Sequence, residues 1–291
     1  MNSWPWPNSY SFEDLTLTGN SLAGQGTSFV CPELKIAFDV AFGLPYLIGA
    51  RDFFVSHCHM DHAGGIPYLV SQQNLMSLPQ AHFYMPESMV DPLTRILSLW
   101  SEMEGHSYNY QFHGVKAGDW IPLKGPYGIR PFETIHRVPS LGYTLFKRTK
   151  HLKEFFKGKS RNDILQAKAQ GIEIEDTQEI PWISFTGDTQ IEFLDRDPWV
   201  KKSRLLILEV TYIGQDRGVE KAREWGHIHL HELLERLPEL ECEKLLLIHL
   251  SARHRSMELV EMLKRRLPEE WQSRVDVFPR DASEKDWARP K

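Results

Sequence analysis

Cysteine is scarce in this chain: Cys31, Cys58 and Cys242 are the only three in 291 residues, and their spacing shows no pairing. A disulfide framework is therefore excluded, and a reducing compartment is expected. No apolar run approaches the roughly 20 residues of a membrane-crossing helix. The opening MNSWPWPNSY has neither the basic start nor the apolar stretch of a secretory signal. Together these absences predict a soluble, cytoplasmic chain without membrane association. Long linkers, low-complexity tracts and short repeats are missing too, so tethered modules and solenoids are excluded. One domain spanning 1–291 is expected. Positive charge is also not in excess, since the net charge is −5, which argues against a surface coated for nucleic acid.

The charge is unevenly distributed, however. Lys147 to Arg161, KRTKHLKEFFKGKSR, carries seven Lys or Arg against the single Glu154, so it is +6 while the remainder is −11. A local basic element sits on an acidic body. Read as a helix, the stretch from Lys150 to Arg161 places Lys150, Lys153, Lys157 and Arg161 on one face and Leu152, Phe155 and Phe156 on another.

With 41% hydrophobic residues the chain can bury a substantial core. LKIAFDV, DFFVS, WISFTGD, LLILEV and KLLLIHL read as strands. IPYLVSQQNLM, His229 to Leu240 and Met257 to Leu267 read as helices. The fold class is α/β. Several strand-like runs end on a polar residue suited to chemistry: DFFVS leads to His57, WISFTG to Asp188, LLIL to Glu209 and KLLLI to His249. Strand ends are rigid, so side chains there can be preorganised.

The densest signal is VSHCHMDHAGG, which holds His57, His59, Asp61 and His62 within six residues. With 13 His and 15 Asp in the chain, HxHxDH arises by chance in about one such chain in a thousand. Imidazole nitrogen and carboxylate oxygen suit a borderline divalent metal. Strand alternation points Cys58 away from its histidine neighbours. His136, in FETIHRVPSLGY, can complete one position and His249, in LLLIHLSARH, a second, with Asp188 between them. Two ions about 3.5–4 Å apart can stabilise both the attacking and the leaving oxygen of a displacement at phosphorus.

HCHMDH, TIHRVPSLGY, FTGDT, LEVTY, GHIH and IHLSARH, in this order, resemble the metallo-β-lactamase superfamily. Within it they resemble short-form tRNase Z, the family of 3′-tRNA processing endoribonucleases. The resemblance runs from about Ile36 to His254 and implies a four-layer αβ/βα sandwich binding two zinc ions per chain. One zinc would take His57, His59, His136 and Asp188, and the other Asp61, His62, Asp188 and His249. Asp39, at the end of IAFD, is similar to the superfamily's aspartate that supports the metal loop.

The resemblance further implies that Asp61 orients or deprotonates the attacking water, and that Glu209 and His227 form the proton donor. A leaving 3′-oxygen requires such a proton. His229 and His231 lie close by in GHIHLHEL, so the resemblance, not spacing, selects His227. It also implies a homodimer and a tRNA-gripping arm inserted at about 147–178, with Lys150, Lys153, Lys157 and Lys159 binding precursor tRNA. Two features depart from the family: no Pro-x-Lys-x-Arg loop is evident, and HLSARH ends in His254 where tyrosine is common. A rival expectation is a hydrolase of the same fold acting on a small phosphodiester, thioester or lactone. It would need the metals but not the arm.

Overall fold

The computed structural model describes residues 7–214, 217–251 and 256–278. His254 lies outside them.

Fourteen strands among these residues form two seven-stranded sheets. The first holds β1 (Asn8–Phe12), β2 (Leu15–Leu22), β3 (Gly26–Cys31), β4 (Ile36–Phe38), β5 (Asp52–Phe54), β6 (Ala81–Pro86) and β7 (Tyr110–Val115), in that spatial order. The second holds β8 (Ile121–Pro122), β9 (Tyr127–Glu133), β10 (Leu141–Leu152), β11 (Glu175–Phe185), β12 (Leu205–Glu209), β13 (Lys244–Ile248) and β14 (Val275–Val277), also in sequence order. β4 to β7 run parallel, as do β11 to β14, while the other pairings are antiparallel.

The helices are α1 (Met60–Ala63), α2 (Ile66–Leu75), α3 (Val90–Glu104), α4 (Arg161–Ala169), α5 (Pro198–Lys201), α6 (Val219–Glu224), α7 (Leu230–Arg236), α8 (Ser256–Arg266) and α9 (Glu269–Gln272). Three apolar clusters glue the layers. Between the sheets, Phe29, Phe38 and Phe54 meet Tyr143, Ile183 and Phe185. Phe38 and Phe185 stack with centroids 5.3 Å apart, a pairing that contributes about 0.5–1.5 kcal/mol beyond area burial. Ile66, Leu69 and Val70 of α2 cover the outer face of the first sheet with Phe53 and Phe83, and Leu230 and Leu233 of α7 cover the second with Leu206 and Leu208. Helix, sheet, sheet, helix is the four-layer order expected.

The strand expectations fall on β4, β5, β11, β12 and β13, and the helical ones on α2, α7 and α8. The reading of 150–161 as a helix is corrected. Lys150 to Leu152 end β10, Glu154–Phe156 is a single 3-10 turn, and α4 begins only at Arg161. Cross-strand pairing decides this: Leu152 pairs with Glu175 and Lys150 with Thr177, drawing the basic run into a long hairpin. Gly158 then turns the chain at φ +79°, and the capping box between Ser160 and Asp163 starts α4.

Candidate metal centre

The parallel strands of both sheets deliver their C-terminal ends to one edge of the sandwich, where open α/β sheets place ligand sites. β4 ends beside Asp39, β5 leads to His57, β11 to Asp188, β12 ends on Glu209 and β13 leads to His249. Tyr143, buried in the second sheet, donates its hydroxyl to Val55 O at 2.8 Å and so ties that sheet to the chain entering the histidine loop. Asp39 and His249 adopt left-handed backbone, at φ 51° and 56°. Such conformations cost about 1–3 kcal/mol each and concentrate at functional positions.

Two sets of donor atoms converge. In the first, His57 Nε2 lies 3.1 Å and His136 Nε2 3.3 Å from His59 Nδ1. In the second, His62 Nε2 and His249 Nε2 lie 3.9 and 3.7 Å from Asp61 Oδ2. Asp188 faces both. Its Oδ2 is 3.7 Å from His57 Nε2 and 4.0 Å from His136 Nε2, and its Oδ1 is 3.4 Å from His62 Nε2 and 3.5 Å from His249 Nε2.

Four of the histidines are locked with the opposite ring nitrogen tied back. Ser56 gives its hydroxyl proton to Asp39 Oδ2, so His57 Nδ1, 2.9 Å from Ser56 Oγ, must be the donor there. His62 Nδ1 donates to Asp39 Oδ2 at 2.7 Å and His136 Nδ1 to Gly226 O at 2.8 Å. Thr211 gives its hydroxyl proton to Glu209, leaving His249 Nδ1 to donate to Thr211 Oγ1. Each ring therefore turns a bare Nε2 inward, the tautomer that metal-ligating histidines adopt.

The interior atoms have no hydrogen-bonding partner to match: His62 Nε2, His249 Nε2 and Asp188 Oδ1 are all buried and unsatisfied. Tetrahedral zinc–nitrogen bonds of 2.0–2.1 Å put neighbouring ligands about 3.3 Å apart, close to the separations in the first set. The donor sets fit divalent cations.

Electrostatics agree. Burial drives His57, His59 and His136 toward the neutral form that ligates. Burial would raise the Asp188 carboxyl, but the His249 and His62 rings that face it hold it well below the usual range. At His62 burial opposes charge, yet Asp188 and Asp39 together keep its pKa well above normal. Positive charge is thus favoured at this position, whether as a proton or as a cation.

Two glycines permit the close approaches. Gly187 (φ +60°) lets the Asp188 loop pass Ser56, whose Cβ would lie 2.5 Å from an added methyl. Gly226 (φ +76°) packs on His136, whose Nδ1 would be 2.7 Å from one.

Beside the cluster, Glu209 is fully buried and accepts from the Thr189 and Thr211 amides, the Thr211 hydroxyl and His227 Nδ1, the last at 2.8 Å. Burial would lower the His227 pKa, but the Glu209 carboxylate overrides it and lifts it to about 9. His227 also lies within ligand distance of Asp188 and His249. Its Nδ1 is committed to Glu209. The structure also separates it from its neighbours, for His229 caps α7 and His231 faces solvent beside Glu235.

Asp61 is half-buried at the rim, where Oδ2 accepts the Gly24 amide. Burial would raise its pKa, but His249 and His62 close beside it hold it far below the usual range. Cys58 is exposed and stays outside the cluster.

With no α-helix over 150–160, Lys150, Lys153, Lys157 and Arg161 form no helical face. Lys150 pairs with Glu175, Lys153 with Glu173 and Asp176, and Lys157 with Glu154, while Lys159 lies against the Phe155 ring. Ser56, Thr211 and the Gly24 amide are not legible in the sequence as site groups, because nothing in their spacing marks a hydroxyl or amide that orients a ligand.

Residues 52–250 match the family described as the beta-lactamase superfamily domain. The chain is 30% identical over 266 residues to the tRNase Z TRZ1 of Arabidopsis thaliana, covering 90% of this chain and 94% of that one. It is also 30% identical to that plant's chloroplastic tRNase Z TRZ2, covering 86% and 71%. Among solved structures, the metallo-β-lactamase fold protein YhfI of Bacillus subtilis superposes with TM-score 0.60 at 15% identity, over 91% of this chain and 97% of that one. The short form of human tRNase Z superposes with 0.54 at 17% identity, over 89% and 93%. The two-sheet scaffold, the histidine loop at its edge and the near full-length relatives all agree, and the chain belongs to the tRNase Z family of the β-lactamase superfamily.

Proposed function

We propose that this protein is a zinc-dependent endoribonuclease that removes the 3′ trailer from precursor tRNA by phosphodiester hydrolysis. The observation that carries the reading is Asp188 set between two histidine clusters with the Glu209 and His227 pair alongside. His57, His59, His136 and Asp188 would hold one zinc, and Asp61, His62, Asp188 and His249 the other. When bound, the two cations supply Lewis-acid stabilisation of the attacking and leaving oxygens.

The protein's own groups do the rest. Asp61, ionised at neutral pH, accepts a hydrogen bond from the attacking water and orients it toward phosphorus. His227, protonated and held by Glu209, delivers its proton to the departing 3′-oxygen. The tRNA body leaves with a 3′-hydroxyl, and the trailer keeps the 5′-phosphate. Asp39 acts through His62 and, by way of Ser56, through His57, fixing both rings.

Precursor tRNA has a body to grip, and the hairpin of β10 and β11 with α4 at its end is the element that extends from the sheet for it. Its ion pairs are exposed and worth little, so Lys150, Lys153 and Lys157 can exchange carboxylates for phosphates. Lys159, Arg161 and Lys168 make no ion pair among the described residues and are free to bind phosphate directly.

One experiment tests the nuclease against the small-molecule hydrolase: parent, chelator-treated parent and a deletion of 150–159, each assayed on a 3′-extended precursor tRNA and on bis(p-nitrophenyl) phosphate. Chelation should abolish both activities. The deletion should raise KM for precursor tRNA and flatten its salt dependence, by about 0.7–0.9 in log–log slope for each phosphate the protein no longer neutralises, while sparing the small ester. An arm deletion that processes precursor as well as the parent would favour the small-molecule reading.

A homodimer accompanies this proposal. Met60, Tyr68, Leu75, Ile96, Leu99 and Trp100 are exposed along α1 to α3, and an apolar patch of that kind marks an interaction face. Sedimentation of the purified chain as a monomer would remove it. Among the described residues no helix is long and apolar enough to cross a membrane. With all three cysteines free, we place the enzyme in the cytoplasm.

A further inference from the structure

Trp225 is large, aromatic and 43% exposed, two residues ahead of His227. It is held in place from both sides. α6 ends at Glu224, and the His227 amide donates back to Ala222 O at 2.9 Å, closing the turn that carries the indole. Gly226 O, the next residue's carbonyl, accepts from His136 Nδ1. The residue after His136 is Arg137, whose guanidinium carbon lies 4.8 Å from the Trp225 ring centroid. Ring and guanidinium are therefore held against each other by two joined segments, one beside the proton donor and the other beside a cluster histidine.

Neither group is spent on the fold. Arg137 is exposed and makes no ion pair among the described residues, and together with His136 it lines an open groove of about 680 Å³. Lys221 Nζ, paired with Glu224 Oε2 at 2.7 Å, also lies 5.5 Å from the indole. An exposed aromatic ring beside an unpaired guanidinium has the composition of a single-stranded nucleic-acid contact, in which a base stacks on the ring and the cation meets the backbone.

We propose that Trp225 is the stacking platform for the base of the nucleotide whose 3′-oxygen leaves, with Arg137 reaching the phosphate chain beside it. The assignment to that nucleotide, and not to the trailer, rests on the proposed function. His227 delivers its proton to that 3′-oxygen, and Trp225 is the exposed aromatic on the same turn. Stacking fixes the sugar so that the 3′-oxygen meets His227. Every base has a π face, so the contact tolerates any base at that position. Trp225 is a positioning residue, and His227 remains the donor.

The test is a cycle between protein and substrate. Parent, Trp225→Ala and Trp225→Phe are assayed on a precursor tRNA that is intact, or abasic at the nucleotide 5′ to the cut, and metal content is measured for each protein. On intact precursor Trp225→Ala should lose about 5- to 150-fold in kcat/KM, and Trp225→Phe should recover most of it. The abasic precursor should cost the parent a similar factor and cost Trp225→Ala almost nothing more. Equal factors for the alanine variant on both substrates, or a fall in its metal content, would make the indole a support for His136 and overturn the proposal. No loss on intact precursor would overturn it as well. A parent that fails to cut intact precursor removes the nuclease reading first and the stacking proposal with it, and that result is read before any variant is compared.

Discussion

Asp188→Ala should empty both cation positions at once, whereas His59→Ala should empty one. Asp188 is the residue whose two carboxylate oxygens face different histidine sets, with Oδ1 toward His62 and His249 and Oδ2 toward His57 and His136. His59 contributes only Nδ1, to the first set. Zinc measured on dialysed protein should read about two ions per chain for the parent, near none for Asp188→Ala and about one for His59→Ala.

Hydrolysis should follow. Cation stabilisation of the transition state is worth several kcal/mol, so kcat should fall by about 10³-fold or more in Asp188→Ala. The variant also leaves five imidazoles, those of His57, His62, His136, His227 and His249, without the carboxylate that faces them. Circular dichroism and thermal unfolding therefore need to show a folded chain before the metal result is read. A folded Asp188→Ala that keeps two ions and full activity would sink the two-cation centre.

The residues of this centre are legible in the sequence because most of them announce themselves locally. HxHxDH packs four donors into six positions, and His136, Asp188, Glu209 and His249 each follow or end a short apolar run or sit in a distinctive motif. Their pairing in space cannot be read that way. It depends on two parallel strand groups meeting at one edge, a property of sheet order and not of any single run. The hydroxyls of Ser56 and Thr211 fall in the same class. They are ordinary residues until the fold sets them between a carboxylate and an imidazole.

The arm goes the other way. Lys150, Lys153, Lys157 and Arg161 have helical spacing, and on local grounds a helix is the consistent expectation. The acidic GIEIED segment lies far along the chain, and only in the fold does it pair across from the lysines and extend β10 and β11 into a hairpin. Local periodicity loses to a tertiary pairing, as strand propensity often does to context. β1 to β3 escape a reading of apolar runs for a related reason. NSYSF, LTLTGNSL and GTSFVC are rich in Ser, Thr and Gly, so nothing local signals their burial on the sheet.

His227→Ala should separate proton transfer from metal binding. In the structure His227 gives Nδ1 to a fully buried Glu209, and Nε2 makes no hydrogen bond among the described residues. A ligand role is also sterically open, since His227 Nδ1 lies 3.9 Å from Asp188 Oδ2. The two roles predict different outcomes. A general acid contributes about 10²- to 10⁴-fold to the rate, so as a donor His227→Ala should lower kcat by that factor while zinc per chain stays at the parent value. Glu209→Gln should lower it too, because the amide can no longer hold His227 protonated, again with zinc retained. A substrate whose leaving group needs no proton gives the sharper contrast. On bis(p-nitrophenyl) phosphate the nitrophenolate departs as an anion, so His227→Ala should lose far less there than on precursor tRNA. Equal losses on the two substrates, accompanied by loss of zinc, would instead make His227 a ligand and leave the departing 3′-oxygen without an assigned donor.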